Sequence, residues 1–176
     1  MAKTSCLAAK DGNTLPTELK TVIFNPDEMQ ALGSAIGELA CPGDIILLTG
    51  PLGAGKTCLV QGLARGLNIP GLTPSPTFML ARECRQGRLP LYHLDLYRLE
   101  FQEIADLGLD EYLYGQGVAA VEWAEKGAGL VGGDYLLINI FYAGEGARHV
   151  YLEPHGARYI TLVQELSHKF KQDGTI

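Results

Sequence analysis

Apolar and polar positions recur along this chain with two different periods, and the switches between them mark out the elements. Thr21-Val22-Ile23-Phe24 reads as a short first strand. Asn25-Pro26-Asp27-Glu28 then offers an N-cap, a proline at the first helical position and an acid at the third. Met29, Leu32, Ile36 and Leu39 fall on one face of the helix so opened, and Pro42-Gly43 ends it. The apolar run over 44–49 reads as a buried strand and the amphipathic run over 57–67 as a second helix. Residues 68–77 carry Pro70, Pro74 and Pro76, so they form an ordered loop rather than regular structure. Residues 78–84 and 89–96 alternate in strand fashion around a hairpin turn, Arg85-Gln86-Gly87-Arg88. A helix over 101–114 follows, with Glu103, Asp106, Asp110 and Glu111 on a solvated face. Beyond a strand over 118–122, residues 135–142 and 147–152 flank Ala143-Gly144-Glu145-Gly146, a hairpin signal, and 159–170 close the chain as a helix.

Composition narrows this picture. A chain of 176 residues, 47% hydrophobic and 19% charged, fits one soluble domain with one sizeable core. Residues 1–18 are polar and mixed and are expected to be mobile, leaving 19–176 as the domain. The longest apolar runs are strand-length, and Met1-Ala2-Lys3-Thr4-Ser5-Cys6 lacks a long apolar core, so neither a membrane span nor a secretory signal is supported and a cytoplasmic location is expected. Cys6, Cys41, Cys58 and Cys84 include no C-x-x-C pair, which argues against a zinc site and a disulfide framework and for reduced, mostly buried thiols. A net charge of −6 disfavours a broad basic face for nucleic acid.

The chemistry gathers where the strand over 44–49 ends. Gly50-Pro51-Leu52-Gly53-Ala54-Gly55-Lys56-Thr57 matches G-x-x-x-x-G-K-T, the phosphate-binding loop. Gly50, Gly53 and Gly55 let the backbone curl so that its N–H groups, including that of Ala54, converge on phosphate oxygens. The helix that follows, with Cys58 in its first turn, adds the positive end of its dipole. Lys56 can reach the β- and γ-phosphates and the Thr57 hydroxyl can ligate Mg²⁺. With 22 glycines in 176 residues, a chance match has a probability of roughly two per cent, and the flanking strand and helix lower it further. The expected fold is therefore α/β: a P-loop NTPase-like three-layer α/β/α domain with a mixed, mainly parallel central sheet and antiparallel C-terminal strands.

Further candidates lie on other segments. Pro74 and Pro76 stiffen the chain around Ser75 and Thr77, whose hydroxyls suit either Mg²⁺ or γ-phosphate contacts or simple turn satisfaction, and both readings stay open. Asp95 and Glu122 end runs that read as strands. In a parallel sheet ligand chemistry collects at carboxyl ends, so these acids can hold Mg²⁺ or orient a water, and a carboxylate in so apolar a run is costly to bury unpartnered. His93 reads as a hydrogen-bonded strand residue rather than a base, while Tyr97 and Arg98 can pack and pair at the same end. Arg82, Arg85 and Arg88 read as a solvated hairpin tip, with a partner or RNA contact as the alternative. Arg148 is a candidate for a phosphate or base contact or for a surface pair.

Taken in order, the loop at 50–57, Ser75-Pro76-Thr77-Phe78, His93-Leu94-Asp95-Leu96-Tyr97-Arg98 and Val121-Glu122-Trp123 resemble the TsaE family, bacterial ATPases of tRNA threonylcarbamoyladenosine synthesis, over about residues 20–155. The resemblance implies an accessory ATPase that hydrolyses ATP with Mg²⁺ to drive or reset the TsaB–TsaD complex, which itself transfers the threonylcarbamoyl group to tRNA, so that tRNA contact is indirect. It implies that Lys56 and Thr57 hold phosphate and metal, that Thr77 lies in a switch-like loop, that Asp95 and Glu122 serve hydrolysis with Glu122 the better metal ligand, and that Trp123 lies beside the site. This chain departs from the family pattern at Pro51, Cys58 and Ala124, which stand where Asp, Thr and Pro are usual; none removes a proposed ligand, though the altered turn after Trp123 bears on the pose of Glu122. Two other readings share the loop: a small-molecule kinase, which needs an acceptor site and a basic lid, and a switch in which ATP occupancy alone matters. An Asn-Lys-x-Asp guanine signature does not occur, which favours adenine.

Overall fold

The computed structural model describes residues 18–71, 80–106, 108–127, 129 and 131–172. The expected mobile segment over 1–18 lies, but for Glu18, outside these residues, as do Cys6, Ser75 and Thr77. The chain runs β1 (Leu19–Ile23), α1 (Pro26–Leu39), β2 (Ile45–Thr49), α2 (Lys56–Gly66), β3 (Ala81–Cys84), β4 (Leu91–Asp95), α3 (Phe101–Asp106), α4 (Asp110–Leu113), β5 (Val118–Glu122), a 3-10 turn (Ala124–Gly127), β6 (Tyr135–Tyr142), β7 (Arg148–His155) and α5 (Ala157–Gln172). The seven strands form one sheet in the order β1-β7-β6-β2-β5-β4-β3. The four central strands pair in parallel, β6 with β2, β2 with β5 and β5 with β4, while β3 at one edge and the β6-β7-β1 ribbon at the other pair antiparallel.

Strand alternation assigns each face of the sheet to a helical layer. Ile46, Leu48, Val118, Ala120 and Leu91 turn to the side covered by α1, α2 and α5, with Leu32, Leu63 and Leu166 in the same apolar cluster. Ile45, Ala119, Val121 and Leu94 turn the other way, under Ile104 of α3, Leu113 of α4 and Leu109 just before α4. The result is the expected α/β/α sandwich. No helix among the described residues is long and apolar enough to cross a membrane.

Helix α1 starts as its sequence dictates. The Asn25 side chain accepts from the Glu28 N–H at 2.9 Å and the Glu28 carboxylate accepts from the Phe24 N–H at 2.7 Å, so two orphan donors are satisfied at once. Four glycines then set how closely α2 lies on α1. A Cβ at Gly33 would sit 2.1 Å from the Leu59 carbonyl oxygen, and one at Gly62 would sit 2.1 Å from that of Gln30, with Gly37 and Gly66 crowded in the same way. Gly62→Ala is expected to lower stability by about 2 kcal/mol, because overpacking against backbone outweighs the helix-propensity gain of about 1 kcal/mol. Calorimetry would read this as a melting point several degrees lower, and an unchanged melting point would contradict the close backbone approach.

Three expectations need correction. The helix over 101–114 is two short helices, because Gly108 takes φ +60° and breaks the ladder before α4. Cys41, Cys58 and Cys84 are half-buried rather than buried. Arg88 is not part of a solvated tip: its guanidinium donates to the Gly37, Glu38 and Ala40 carbonyls at 2.6, 3.3 and 2.9 Å, capping the C-terminal end of α1.

Candidate functional site

Because β2, β4, β5 and β6 run parallel, their carboxyl ends all open on one edge of the sheet, and the residues that follow them meet there. The loop after β2 occupies the centre of that edge. Gly50 has φ +132°, and a Cβ there would lie 2.2 Å from the Ile140 carbonyl oxygen, so only glycine lets the loop leave β2 beside β6. Gly55 caps α2 at φ +114° with no side-chain cap, and the first turn carries no acid, which leaves its N–H end open to an anion.

Lys56 is 4% exposed. Its ammonium donates to the Gly50 and Pro51 carbonyls at 2.6 and 3.0 Å and lies 3.6 Å from the centre of the Trp123 ring. Burial pushes this ammonium below the usual lysine range, while the Glu122, Glu125 and Asp95 carboxylates oppose the push. Thr57, one residue on, donates its hydroxyl to both oxygens of Glu122, at 2.8 and 2.9 Å. Glu122 in turn accepts from His93 Nε2 at 2.7 Å, and both groups are buried. Asp95 stands opposite Glu122 in the β4–β5 register, is also buried, and accepts from the Tyr97 N–H at 3.0 Å.

Trp123 has φ +59°, a conformation rare for a bulky residue. It carries the chain from β5 into the 3-10 turn and places its ring over Lys56. The Tyr97 ring centre lies 4.7 Å from that of Trp123, and Lys126 donates to the Tyr97 and Leu99 carbonyls at 2.5 and 3.2 Å, pinning that turn. Together these residues line a cleft of about 300 Å³ that holds Gly53, Ala54, Gly55, Lys56, Thr57 and Cys58 from the loop and helix with Asp95, Glu122 and Trp123 from the strand ends.

The hairpin between β6 and β7 braces the loop from the opposite side. Tyr142 donates its hydroxyl to the Leu52 carbonyl at 2.6 Å, and Arg148 donates to those of Ala54 and Gly53 at 3.1 and 3.3 Å while lying 4.5 Å from the Tyr142 ring centre. A second cleft of about 290 Å³ opens here, lined by Ile23, Pro26, Met29, Gly55, Cys58 and Arg148 among others. Cys58 touches both clefts, and burial pushes its thiol above the usual cysteine range.

Gly50, Gly53, Ala54, Gly55, Lys56, Thr57, Cys58, Asp95, Glu122 and Trp123, each singled out in the sequence, are thus brought to one edge, while Thr77 lies outside the described residues. Arg148 is here as well, but on loop carbonyls. The sequence reading of His93 as a hydrogen-bonded strand residue holds, though its partner Glu122 was not foreseen, and Tyr142 was missed as a brace. Tyr142 carries no motif, and the motif that holds His93 does not name its partner; only a strand pattern combined with the correct strand order could have found these contacts.

Comparison with known proteins places the chain in a family. The family described as "Threonylcarbamoyl adenosine biosynthesis protein TsaE" matches residues 23–150. The tRNA threonylcarbamoyladenosine biosynthesis protein TsaE of Bacillus subtilis is 45% identical over 150 residues, 85% of this chain and 94% of that relative. The protein of the same name from Nostoc is 40% identical over 157 residues, 87% of this chain and 96% of its own length. A crystal structure of Bacillus subtilis YdiB superposes with a TM-score of 0.77 at 39% identity, covering 90% of this chain and 99% of that one. On the fold, the loop and these relatives together, the chain belongs to the TsaE family.

Proposed function

We propose that this chain is an accessory, Mg²⁺-dependent ATPase of tRNA threonylcarbamoyladenosine biosynthesis. The observation that carries the reading is the Thr57 hydroxyl held on the Glu122 carboxylate at the mouth of the glycine loop, with Lys56 beside them. A hydroxyl and one carboxylate suit Mg²⁺, which keeps waters and phosphate oxygens as its other ligands and needs no all-protein cage.

In this reading Thr57 and Glu122 hold Mg²⁺, and the loop N–H groups with Lys56 hold the phosphate oxygens. When bound, the ion neutralises charge on the β- and γ-phosphates. Asp95, buried at the adjacent strand end, orients the attacking water and accepts its proton as the oxygen bonds to the γ-phosphorus and ADP leaves. The more apolar cleft by Pro26 and Met29, across the loop from Glu122, seats the adenine. Turnover serves the TsaB–TsaD complex, and tRNA is reached through that complex.

The test is reconstitution. Purified TsaB and TsaD supplied with tRNA, the threonylcarbamoyl-adenylate donor and ATP are expected to give multiple rounds of threonylcarbamoyladenosine formation, read by mass spectrometry of nucleosides, only when this chain is added. Equal yield without it, or transfer of phosphate from ATP to a metabolite by this chain alone, would overturn the proposal.

A further inference from the structure

The carboxylate that receives Thr57 also receives a histidine, and the two contacts are not equivalent. A hydroxyl has one proton, and the Thr57 Oγ sits at 2.8 and 2.9 Å from the two Glu122 oxygens, so that proton is shared and does not distinguish Oε1 from Oε2. His93 Nε2 approaches one oxygen alone, Oε1, at 2.7 Å. Only the second contact selects an orientation.

The surroundings of His93 also decide which nitrogen carries the proton. The ring is fully buried on β4, and Nδ1 has no hydrogen-bond partner among the described residues. An unpaired buried N–H is the costlier orphan, so the proton belongs on Nε2, where it is donated to Glu122. Strand pairing provides the room: the residue opposite His93 in the β4–β5 register is Ala120, whose small side chain lets the imidazole reach along β5 to Glu122.

We propose that His93 is a positioning residue that fixes the Glu122 carboxylate for the metal through its Nε2–H, a role that rests on the assignment of Glu122 as a metal ligand. When the Thr57 oxygen turns to a cation its proton can no longer steady Glu122, and His93 is then the remaining hold on that carboxylate. Glu122 keeps Oε2 for the ion while Oε1 stays tied to β4.

The experiment measures Mn²⁺ binding by electron paramagnetic resonance with a non-hydrolysable ATP analogue, alongside binding of the analogue in EDTA and thermal melting. Wild type, His93→Leu and His93→Gln are compared, since the glutamine amide can offer an N–H near the position of Nε2. His93→Leu is expected to weaken Mn²⁺ binding about tenfold or more, to leave analogue binding in EDTA within about twofold, and His93→Gln to recover most of the loss. Mn²⁺ binding unchanged in His93→Leu, or a glutamine variant that melts like wild type and yet binds Mn²⁺ as poorly as the leucine variant, would overturn the role of His93. Wild-type protein that binds the analogue but no Mn²⁺ would overturn the metal assignment of Glu122 and this proposal with it.

Discussion

Lys56→Ala is expected to lower ATP turnover by about 10³-fold, the loss that follows removal of a buried, preorganised charge facing developing negative charge. The size of the effect comes from where the ammonium sits. Lys56 is the only lysine or arginine among the described residues lining the cleft with Asp95 and Glu122, so no neighbour can substitute for it. It is 4% exposed, where water screens little, and its resting partners are two carbonyls and a tryptophan face that cannot neutralise a phosphate. Lys56→Arg is not conservative here, because a planar guanidinium does not fit a site shaped around a compact ammonium. Steady-state turnover and nucleotide binding, measured on each variant, check this; turnover within about tenfold of wild type would show that the loop backbone alone holds the phosphates.

Glu122→Gln carries the second large effect, a fall in turnover of about 10²- to 10³-fold with nucleotide binding in EDTA nearly unchanged. The amide keeps the size of the carboxylate and loses its charge, so the metal contact suffers while the packing does not. Glu122→Ala differs in kind. It leaves the Thr57 hydroxyl and the buried His93 N–H without their acceptor, and an unsatisfied buried group costs about 1–3 kcal/mol. Thermal melting should therefore separate the two variants, with the alanine protein the less stable and the glutamine protein close to wild type. A metal titration that is identical in Glu122→Gln and wild type would rule the residue out as a ligand.

Much of this architecture was legible from local chemistry. Three glycines, a lysine and a threonine at the junction of an apolar run and an amphipathic one can do little else than form a phosphate loop, because strand, turn and helix are all dictated within 14 residues, 44–57. Asp95 and Glu122 stood out because ionised side chains at the ends of apolar strands need a partner. Which partner was not legible. That Glu122 meets Thr57 and His93, while Asp95 meets the backbone after it, follows from β5 lying between β2 and β4, and strand order is a property of the whole sheet. Tyr142, and the loop carbonyls as the partners of Arg148, were hidden for the same reason: their reach to the loop depends on β6 pairing with β2, a contact between segments about 90 residues apart. Arg88 was misread because nothing in a hairpin turn announces that the C-terminal end of α1 lies beside it. The break at Gly108 was visible as a glycine, but a lone glycine within a helical pattern does not announce the φ of +60° that sets α3 and α4 apart.

The direct test of an accessory ATPase is the rate of ATP hydrolysis with and without purified TsaB–TsaD, for wild type, Lys56→Ala and Glu122→Gln. Slow hydrolysis by wild type that changes when the partners are added, and that is lost in both variants, is the expected result. Hydrolysis indifferent to the partners, or surviving in both variants, would contradict it.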